Sequence, residues 1–268
     1  MSAPHQSDRP DTPDVPDVLV TVPAPSDIVV AWPEAPQLLF LLFHAAGEQP
    51  ASLLPLAQRL AAQFPQGVVA CVAAPHAWDE GAGFQWYSLR GLTAGNLRER
   101  TQPALAEFAA TVRAWQQQCG LGPERTAIVA HGQSAILGLE ALAQLPPFCA
   151  RLFAIGGHFV TLPAHLHDQT SLHWLHGRLD ATVPYQAAIE AAAHLKALDA
   201  DFSVDVFADT AAGLTDEMGD RIVHLLQNHV PQRMWREAMA SAGAAATATD
   251  EDGEASSSHP PAPSPTLH

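Results

Sequence analysis

Basic residues are scarce in this chain, which has 13 Lys and Arg against 28 Asp and Glu and a formal net charge of −15. No basic patch is available to meet phosphate groups, so we expect no binding to nucleic acid. Most of the negative excess lies at the two ends, because residues 1–36 and 239–268 together carry −9 of it. Acidic ends of this kind are typical of solvated tails, not of an acidic active face.

Long apolar runs and a secretory leader are also missing. No run of 18 apolar residues occurs, so we expect no membrane span. Residues 1–36 lack a basic head followed by an apolar segment, which argues against a secretory signal. The three cysteines, Cys71, Cys119 and Cys149, show no metal-ligand spacing and indicate reduced thiols in a cytoplasmic protein. We predict no metal and no cofactor, and the sequence does not indicate an oligomeric state.

The apolar pattern predicts one α/β domain over residues 26–240, with disordered acidic tails at 1–25 and 241–268. Apolar strands alternate with amphipathic helices, which predicts a mainly parallel central sheet covered by helices on both faces. The predicted strands span 27–32, 37–44, 68–73, 126–130, 151–160, 171–176 and 202–207. The predicted helices span 50–64, 96–118, 134–145, 185–198, 216–228 and 231–239, and residues 75–95 are predicted to be irregular.

The segment at 125–145, R-T-A-I-V-A-H-G-Q-S-A-I-L-G-L-E-A-L-A-Q-L, has the pattern of a nucleophile elbow. A buried strand is followed by a tight turn and a helix, which is the setting in which G-x-S-x-G hydrolases hold their serine. The five elbow positions here are A-H-G-Q-S, with Gly132 at the centre. Glycine tolerates the backbone angles of that turn but has no atom that can attack a carbonyl. The shape of the elbow is therefore predicted without its nucleophile.

Several segments in combination resemble the bacterial esterases of the phospholipase/carboxylesterase family, which are α/β-hydrolases. The resemblance extends over about residues 37–240. The segments that carry it are L-L-F-H-A-A-G-E at 41–48, F-Q-W-Y-S-L-R-G-L-T-A-G-N-L-R-E-R at 84–100, V-R-A-W-Q-Q-Q-C-G-L-G at 112–122, the elbow, and L-H-G-R-L-D-A-T-V-P at 175–184. The resemblance implies the α/β-hydrolase fold and serine-dependent hydrolysis of esters or thioesters.

The resemblance also implies the positions of a catalytic triad and an oxyanion hole. Asp180 matches the triad aspartate, and Gly132 stands at the nucleophile position. The histidine should lie in the loop at 209–216, where Ala212 occupies the matching place and no histidine occurs. The backbone N–H groups of Ala46 and Gln133 match the oxyanion donors. With two of three triad side chains missing, we predict a catalytically inactive member that binds a small acyl or ester ligand, or a protein partner.

Two alternatives remain open at this point. A rearranged site could use Ser134 as nucleophile and His131 as base, with Asp180 beside them, which would give residual esterase activity. This arrangement needs Ser134 within hydrogen-bond reach of a base. The other alternative is a purely structural protein with a closed pocket.

Overall fold

The computed structural model describes residues 25–242. The predicted tails at 1–25 and 241–268 lie outside the described residues except at their boundaries, where residue 25 and residues 241–242 are described. Residues 232–242 are helical, so the last predicted helix begins close to its expected start and extends beyond 239.

A seven-stranded sheet forms the centre of the structure. Its strands are β1 Ile28–Ala31, β2 Leu38–Phe43, β3 Gly67–Val72, β6 Thr126–His131, β7 Arg151–Ile155, β8 Ser171–Gly177 and β9 Phe202–Phe207. They lie in the order β1-β3-β2-β6-β7-β8-β9. Strands β2, β3 and β6 to β9 are parallel to one another, and β1 is antiparallel to β3 at one edge. The prediction of a mainly parallel central sheet is confirmed.

Strand β2, L-L-F-L-L-F, shows why the central strands are apolar throughout. Alternate side chains of a strand point to opposite faces of the sheet. Leu39, Leu41 and Phe43 pack in one core cluster, and Phe40 and Leu42 pack in another. Because helices cover both faces, neither set can be polar.

Besides the helix at 232–242, five helices are distributed over the two faces of the sheet. Buried residues of α2, α3 and α4 join one core cluster, and those of α1 and α5 join the other. The helices are α1 Leu54–Gln63, α2 Leu97–Cys119, α3 Gln133–Gln144, α4 Gln186–Ala197 and α5 Asp216–Asn228. This arrangement confirms the α/β-hydrolase type of layering and leaves the strand-to-helix loops at the carboxyl edge of the sheet, where such folds place their sites.

Three predicted elements differ from the structure. The strand predicted over 151–160 stops at Ile155, because Gly156 and Gly157 have φ values of 63° and 77°, which a strand cannot continue. The segment predicted as irregular at 75–95 contains a short hairpin of β4 His76–Ala77 and β5 Phe84–Gln85. The helix predicted over 50–64 opens with a 3-10 turn at Pro50–Leu53.

Two further features of the described residues concern membrane-spanning helices and cysteines. None of the helices within residues 25–242 has both the length and the apolar character needed to cross a bilayer. The three thiols are unpaired, with Cys71 and Cys149 buried and Cys119 half-buried.

Strand β8 carries a histidine whose burial links the stability of the fold to pH. His176 is fully buried, and within residues 25–242 neither of its ring nitrogens has a hydrogen-bond partner. Burial lowers the pKa of His176 from 6.5 to about 4, although the negative charge of Asp180 opposes this shift and His158 adds to it. The unfolded chain therefore takes up a proton that the folded chain does not, in the window between about pH 6.5 and pH 4.

We expect the free energy of unfolding to fall as the pH is lowered through this window, by up to about 3 kcal/mol from His176 alone. His176→Leu should make this loss clearly smaller in urea titrations between pH 7.5 and 4. His173, whose pKa burial lowers to about 3, should keep some dependence in the variant. His224→Gln, at an exposed position, is the matched control. An unchanged pH slope in His176→Leu would contradict the expectation.

Candidate active site

A cavity of about 670 Å³ lies at the carboxyl edge of the parallel strands. Every predicted site position lines it except Ser134. The lining residues are Ala45, Ala46, Glu48, Tyr87, Leu89, Leu92, Thr93, Ala94, Leu97, His131, Gly132, Gln133, Ile136, Ile155, Gly156, Gly157, His158, Gly177, Asp180, Thr182, Val183, Ala211, Ala212, Gly213 and Met218. The wall is mostly apolar, with polar groups concentrated on the loops that follow β2, β6, β7 and β8.

Gly132 forms the turn between β6 and α3. Its φ of 58° and ψ of −114° lie in a region that side chains rarely adopt, which glycine enters without a steric penalty. The Gly132 N–H donates to the Ile155 carbonyl over 2.9 Å, and the Gly132 carbonyl accepts from the Ile136 N–H over 3.2 Å. The backbone therefore makes the sharp reversal of a nucleophile elbow and presents only an α-carbon to the cavity.

The methyl group of Ala45 closes the space in front of this α-carbon. A Cβ built on Gly132 would lie 3.0 Å from the Ala45 Cβ, which is closer than almost all real contacts of this type. A nucleophile at position 132 would therefore require Ala45, or the loop that carries it, to move. The sequence did not indicate that Ala45 faces Gly132, because the two residues are far apart in the chain.

The loop after β2 is held by backbone hydrogen bonds and by His44. The His44 Nδ1–H donates to the Ala45 carbonyl over 2.7 Å, and Nε2 accepts from the Ala74 N–H over 3.1 Å. This pairing requires a neutral ring, and burial lowers the pKa of His44 accordingly. The Gly47 N–H donates to the Phe84 carbonyl over 2.9 Å, which fastens the loop to the β4–β5 hairpin.

The backbone N–H groups of Ala46 and Gln133 are the predicted oxyanion donors. Both residues line the cavity. Neither N–H donates a hydrogen bond to any other group in the described part of the chain. An oxygen atom of a ligand could therefore accept from them, as in an oxyanion hole.

Ser134 is fully buried and engaged on two sides. Its hydroxyl donates to the His44 carbonyl over 2.7 Å and accepts from the Trp86 indole N–H over 3.0 Å. The Gln133 side chain holds the same segment, because its Oε1 accepts from the Trp86 N–H over 2.7 Å and its Nε2 donates to the Tyr87 carbonyl over 2.8 Å. The start of α3 thus fixes the segment 86–87, and Ser134 makes no hydrogen bond with His131.

His131 contacts an acid that was not assigned to it from the sequence. Its Nδ1 lies 3.5 Å from Glu48 Oε2, which is long for a hydrogen bond. The same carboxylate accepts from the Ala45 N–H over 3.2 Å and from the Ser52 hydroxyl over 3.0 Å. Burial opposes ionisation of Glu48, but contact with His131 and the hydrogen bonds from Ala45 and Ser52 outweigh it and lower the pKa to about 2. Glu48 is therefore an anion in the cavity wall at neutral pH.

Asp180 lies on the loop after β8 and faces the cavity with one carboxylate oxygen. Oδ1 accepts from the Thr182 and Val183 N–H groups over 2.8 and 3.0 Å. Oδ2 accepts no hydrogen bond from the described residues and lies beside Gly156, 3.7 Å from a Cβ built there. The carboxylate is thus oriented by a turn within its own loop, and it does not cap helix α4.

The loop after β9 brings Ala212 to the same cavity. This loop packs against the loop that carries Asp180, since the Leu179 N–H donates to the Thr210 carbonyl over 2.9 Å. Gly132, Asp180 and Ala212, which occupy the three expected triad positions, therefore line one cavity, and only Asp180 has a functional side chain.

Other candidate ligands in the sequence do not assemble into a metal centre. No group of three or more His, Cys, Asp or Glu side chains in residues 25–242 is arranged to hold a metal ion.

Further residues of the cavity wall come from the segment after the β4–β5 hairpin and from the end of β7. Of the two aromatic residues next to each other after the β4–β5 hairpin, Tyr87 lines the cavity and Trp86 is in the core. His158 and the two glycines before it join the wall through the end of β7, a position that no sequence motif indicated.

Comparison with known proteins gives consistent relatives. A family model described as Phospholipase/Carboxylesterase matches residues 25–230. Esterase YpfH of Escherichia coli (strain K12) is 30% identical over 213 residues, which cover 79% of this chain and 92% of that protein.

Solved structures show the same fold at lower identity. The crystal structure of esterase PE8 aligns with a TM-score of 0.68 and 23% identity, covering 76% of this chain and 97% of that one. A carboxylesterase from Mesorhizobium loti aligns with a TM-score of 0.60 and 16% identity, covering 72% and 89%.

We expect Ser134→Ala to lower the free energy of unfolding by about 1–3 kcal/mol, because it leaves the His44 carbonyl and the Trp86 indole N–H buried without a partner. Urea denaturation followed by tryptophan fluorescence measures this loss. Ser241→Ala, at an exposed helical position, should change stability little. A loss in Ser134→Ala no larger than in this control would show that the Ser134 hydroxyl does not hold the segment 86–87.

Proposed function

The chain belongs to the phospholipase/carboxylesterase family of α/β-hydrolases, and from this premise we propose that it is a catalytically silent member that binds a small carbonyl-containing ligand in the family's cavity. The observation that carries the proposal is the elbow centre, where Gly132 has the turn conformation but no nucleophile. Serine-dependent hydrolysis needs an attacking hydroxyl at that position and a base beside it.

The missing base supports the same proposal. The loop at 209–216 contains no histidine, and the wall position that it supplies is Ala212. Without nucleophile and base, orientation and oxyanion binding remain, and these contribute much less to the rate than the complete triad does.

A rearranged site is the alternative proposal, with Ser134 attacking and His131 or Asp180 assisting. The surroundings of Ser134 argue against this alternative. The residue is buried, and its hydroxyl already donates to the His44 carbonyl and accepts from the Trp86 indole N–H. A reacting hydroxyl needs a base at about 2.6–3.2 Å and access to the substrate. Ser134 would have to break both hydrogen bonds and leave the core to meet these conditions.

The cavity itself favours ligand binding over a purely structural role. A volume of about 670 Å³ falls within the range of small-molecule pockets. Its wall is apolar over most of its area, and the Ala46 and Gln133 N–H groups are available to donate hydrogen bonds to a carbonyl oxygen of a ligand. In a purely structural protein with a closed pocket, we would expect side chains to fill this space.

We expect the purified protein to form no covalent adduct with a fluorophosphonate probe and to hydrolyse p-nitrophenyl butyrate no faster than a mock preparation. The physical reason is the absence of an activated hydroxyl in the cavity. Intact-protein mass spectrometry measures the adduct, with esterase YpfH as the reference. An adduct on Ser134, abolished by Ser134→Ala, would overturn the proposal and favour the rearranged site.

Restoring the triad should require more than its two missing side chains. We expect Gly132→Ser with Ala212→His to give weak hydrolysis, and we expect the further change Ala45→Gly to raise the rate about tenfold, because the new Cβ no longer meets the Ala45 methyl. Initial rates with p-nitrophenyl butyrate and the yield of fluorophosphonate adduct measure both steps. Ala45→Gly alone, which should remain inactive, is the control. Equal rates in the double and triple variants would show that Ala45 is no obstacle.

A further inference from the structure

We infer that this cavity selects ligands that carry a cationic nitrogen, which pairs with the Asp180 carboxylate while the ligand's carbonyl oxygen meets the Ala46 and Gln133 N–H groups. The inference rests on the proposed function, since it concerns the same cavity and names the class of ligand. An esterase with an intact triad would not select cationic ligands in this way, because its histidine hydrogen-bonds to the aspartate.

The geometry of Asp180 is the first observation. Oδ1 is held by the Thr182 and Val183 N–H groups, so the side chain has a fixed direction. Oδ2 accepts nothing from the described residues and lies beside Gly156 in the cavity wall. A carboxylate with one tethered and one open oxygen is a preorganised acceptor for an N–H donor.

The loop that carries Ala212 packs beside the loop that carries Asp180. The segment around Ala212 is adjacent to the Asp180 loop, as the hydrogen bond from Leu179 to Thr210 shows. A Cβ built on Gly177 would lie 2.2 Å from the Ala211 carbonyl, so the two loops are in close contact. Ala212 ends at its methyl group, so it supplies no hydrogen-bond partner for Asp180, and both residues line the cavity.

The charge of the wall is the third observation. Among the described residues that line the cavity there are two acids, Glu48 and Asp180, two histidines, His131 and His158, and neither Lys nor Arg. Glu48 remains ionised, with its pKa lowered to about 2, but it is already engaged by His131, Ala45 and Ser52. A ligand carboxylate would meet like charge on two sides, whereas an ammonium would meet an open Asp180 oxygen.

Three probes of matched size and different charge test the inference. Ethyl 4-aminobutyrate is cationic at pH 7, ethyl pentanoate replaces its ammonium by a methyl group, and monoethyl glutarate replaces it by a carboxylate. Chemical-shift titrations of the full chain give the three dissociation constants. We expect the cationic ester to bind about tenfold more tightly than the neutral ester, and the anionic ester to bind most weakly.

Asp180→Asn is the decisive variant, because an asparagine oxygen can still accept from the Thr182 and Val183 N–H groups while the charge is lost. The preference for the cationic ester should fall to about twofold or less in this variant, with an unchanged Tm as the check on folding. Glu190→Gln, an exposed acid on α4, removes the same charge away from the cavity and should keep the preference.

The outcomes separate this inference from the proposed function. Equal binding of the cationic and neutral esters, or a preference that persists in Asp180→Asn, would overturn the selection by charge and leave ligand binding intact. No binding of any of the three esters would overturn the proposed function as well.

Discussion

The reversal of the chain at Gly132 is the constraint on which the rest of the site depends. Strand β6 has to end, turn and continue as helix α3 within one residue, and the hydrogen bonds to Ile155 and from Ile136 lock that turn. A side chain in this conformation stores strain of about 1–3 kcal/mol, which an active hydrolase tolerates because it exposes the nucleophile. Glycine adopts the same turn without this strain and carries no side chain. Glycine at this position therefore favours the stability of the fold.

The backbone elements expected at the site are present, although two of the three expected triad side chains are not. The loop of Ala46 keeps its place through His44 and the β4–β5 hairpin, and the first turn of α3 keeps the Gln133 N–H at the cavity. These groups depend on chain direction, so substitutions at neighbouring side chains do not remove them. Asp180 keeps its orientation for a similar reason, since two N–H groups of its own loop hold it. The cavity therefore has two backbone N–H groups and one oriented carboxylate, with no side chain at position 132.

The sequence predicted more of the fold than of the contacts within the site. The strand and helix periods located the parallel sheet and nearly all of its helices, because apolar side chains must reach both faces of a central strand. The role of Ser134 could not be read in this way. Its two hydrogen bonds reach His44 and Trp86, which are distant in sequence. The contact between His131 and Glu48 is hidden for the same reason.

The sequence by itself determined the class of fold, the family resemblance, and the identity of the residues at the three expected triad positions. These follow from local pattern and motif, which depend on residues near one another in the chain. Only the tertiary structure decided that the Ala45 methyl stands before Gly132, that Ser134 is sealed in the core, and that Asp180 turns one free oxygen toward an open cavity. The physical reason is that such relations are set by the packing of loops from different strands at one sheet edge, and no single stretch of sequence encodes that packing.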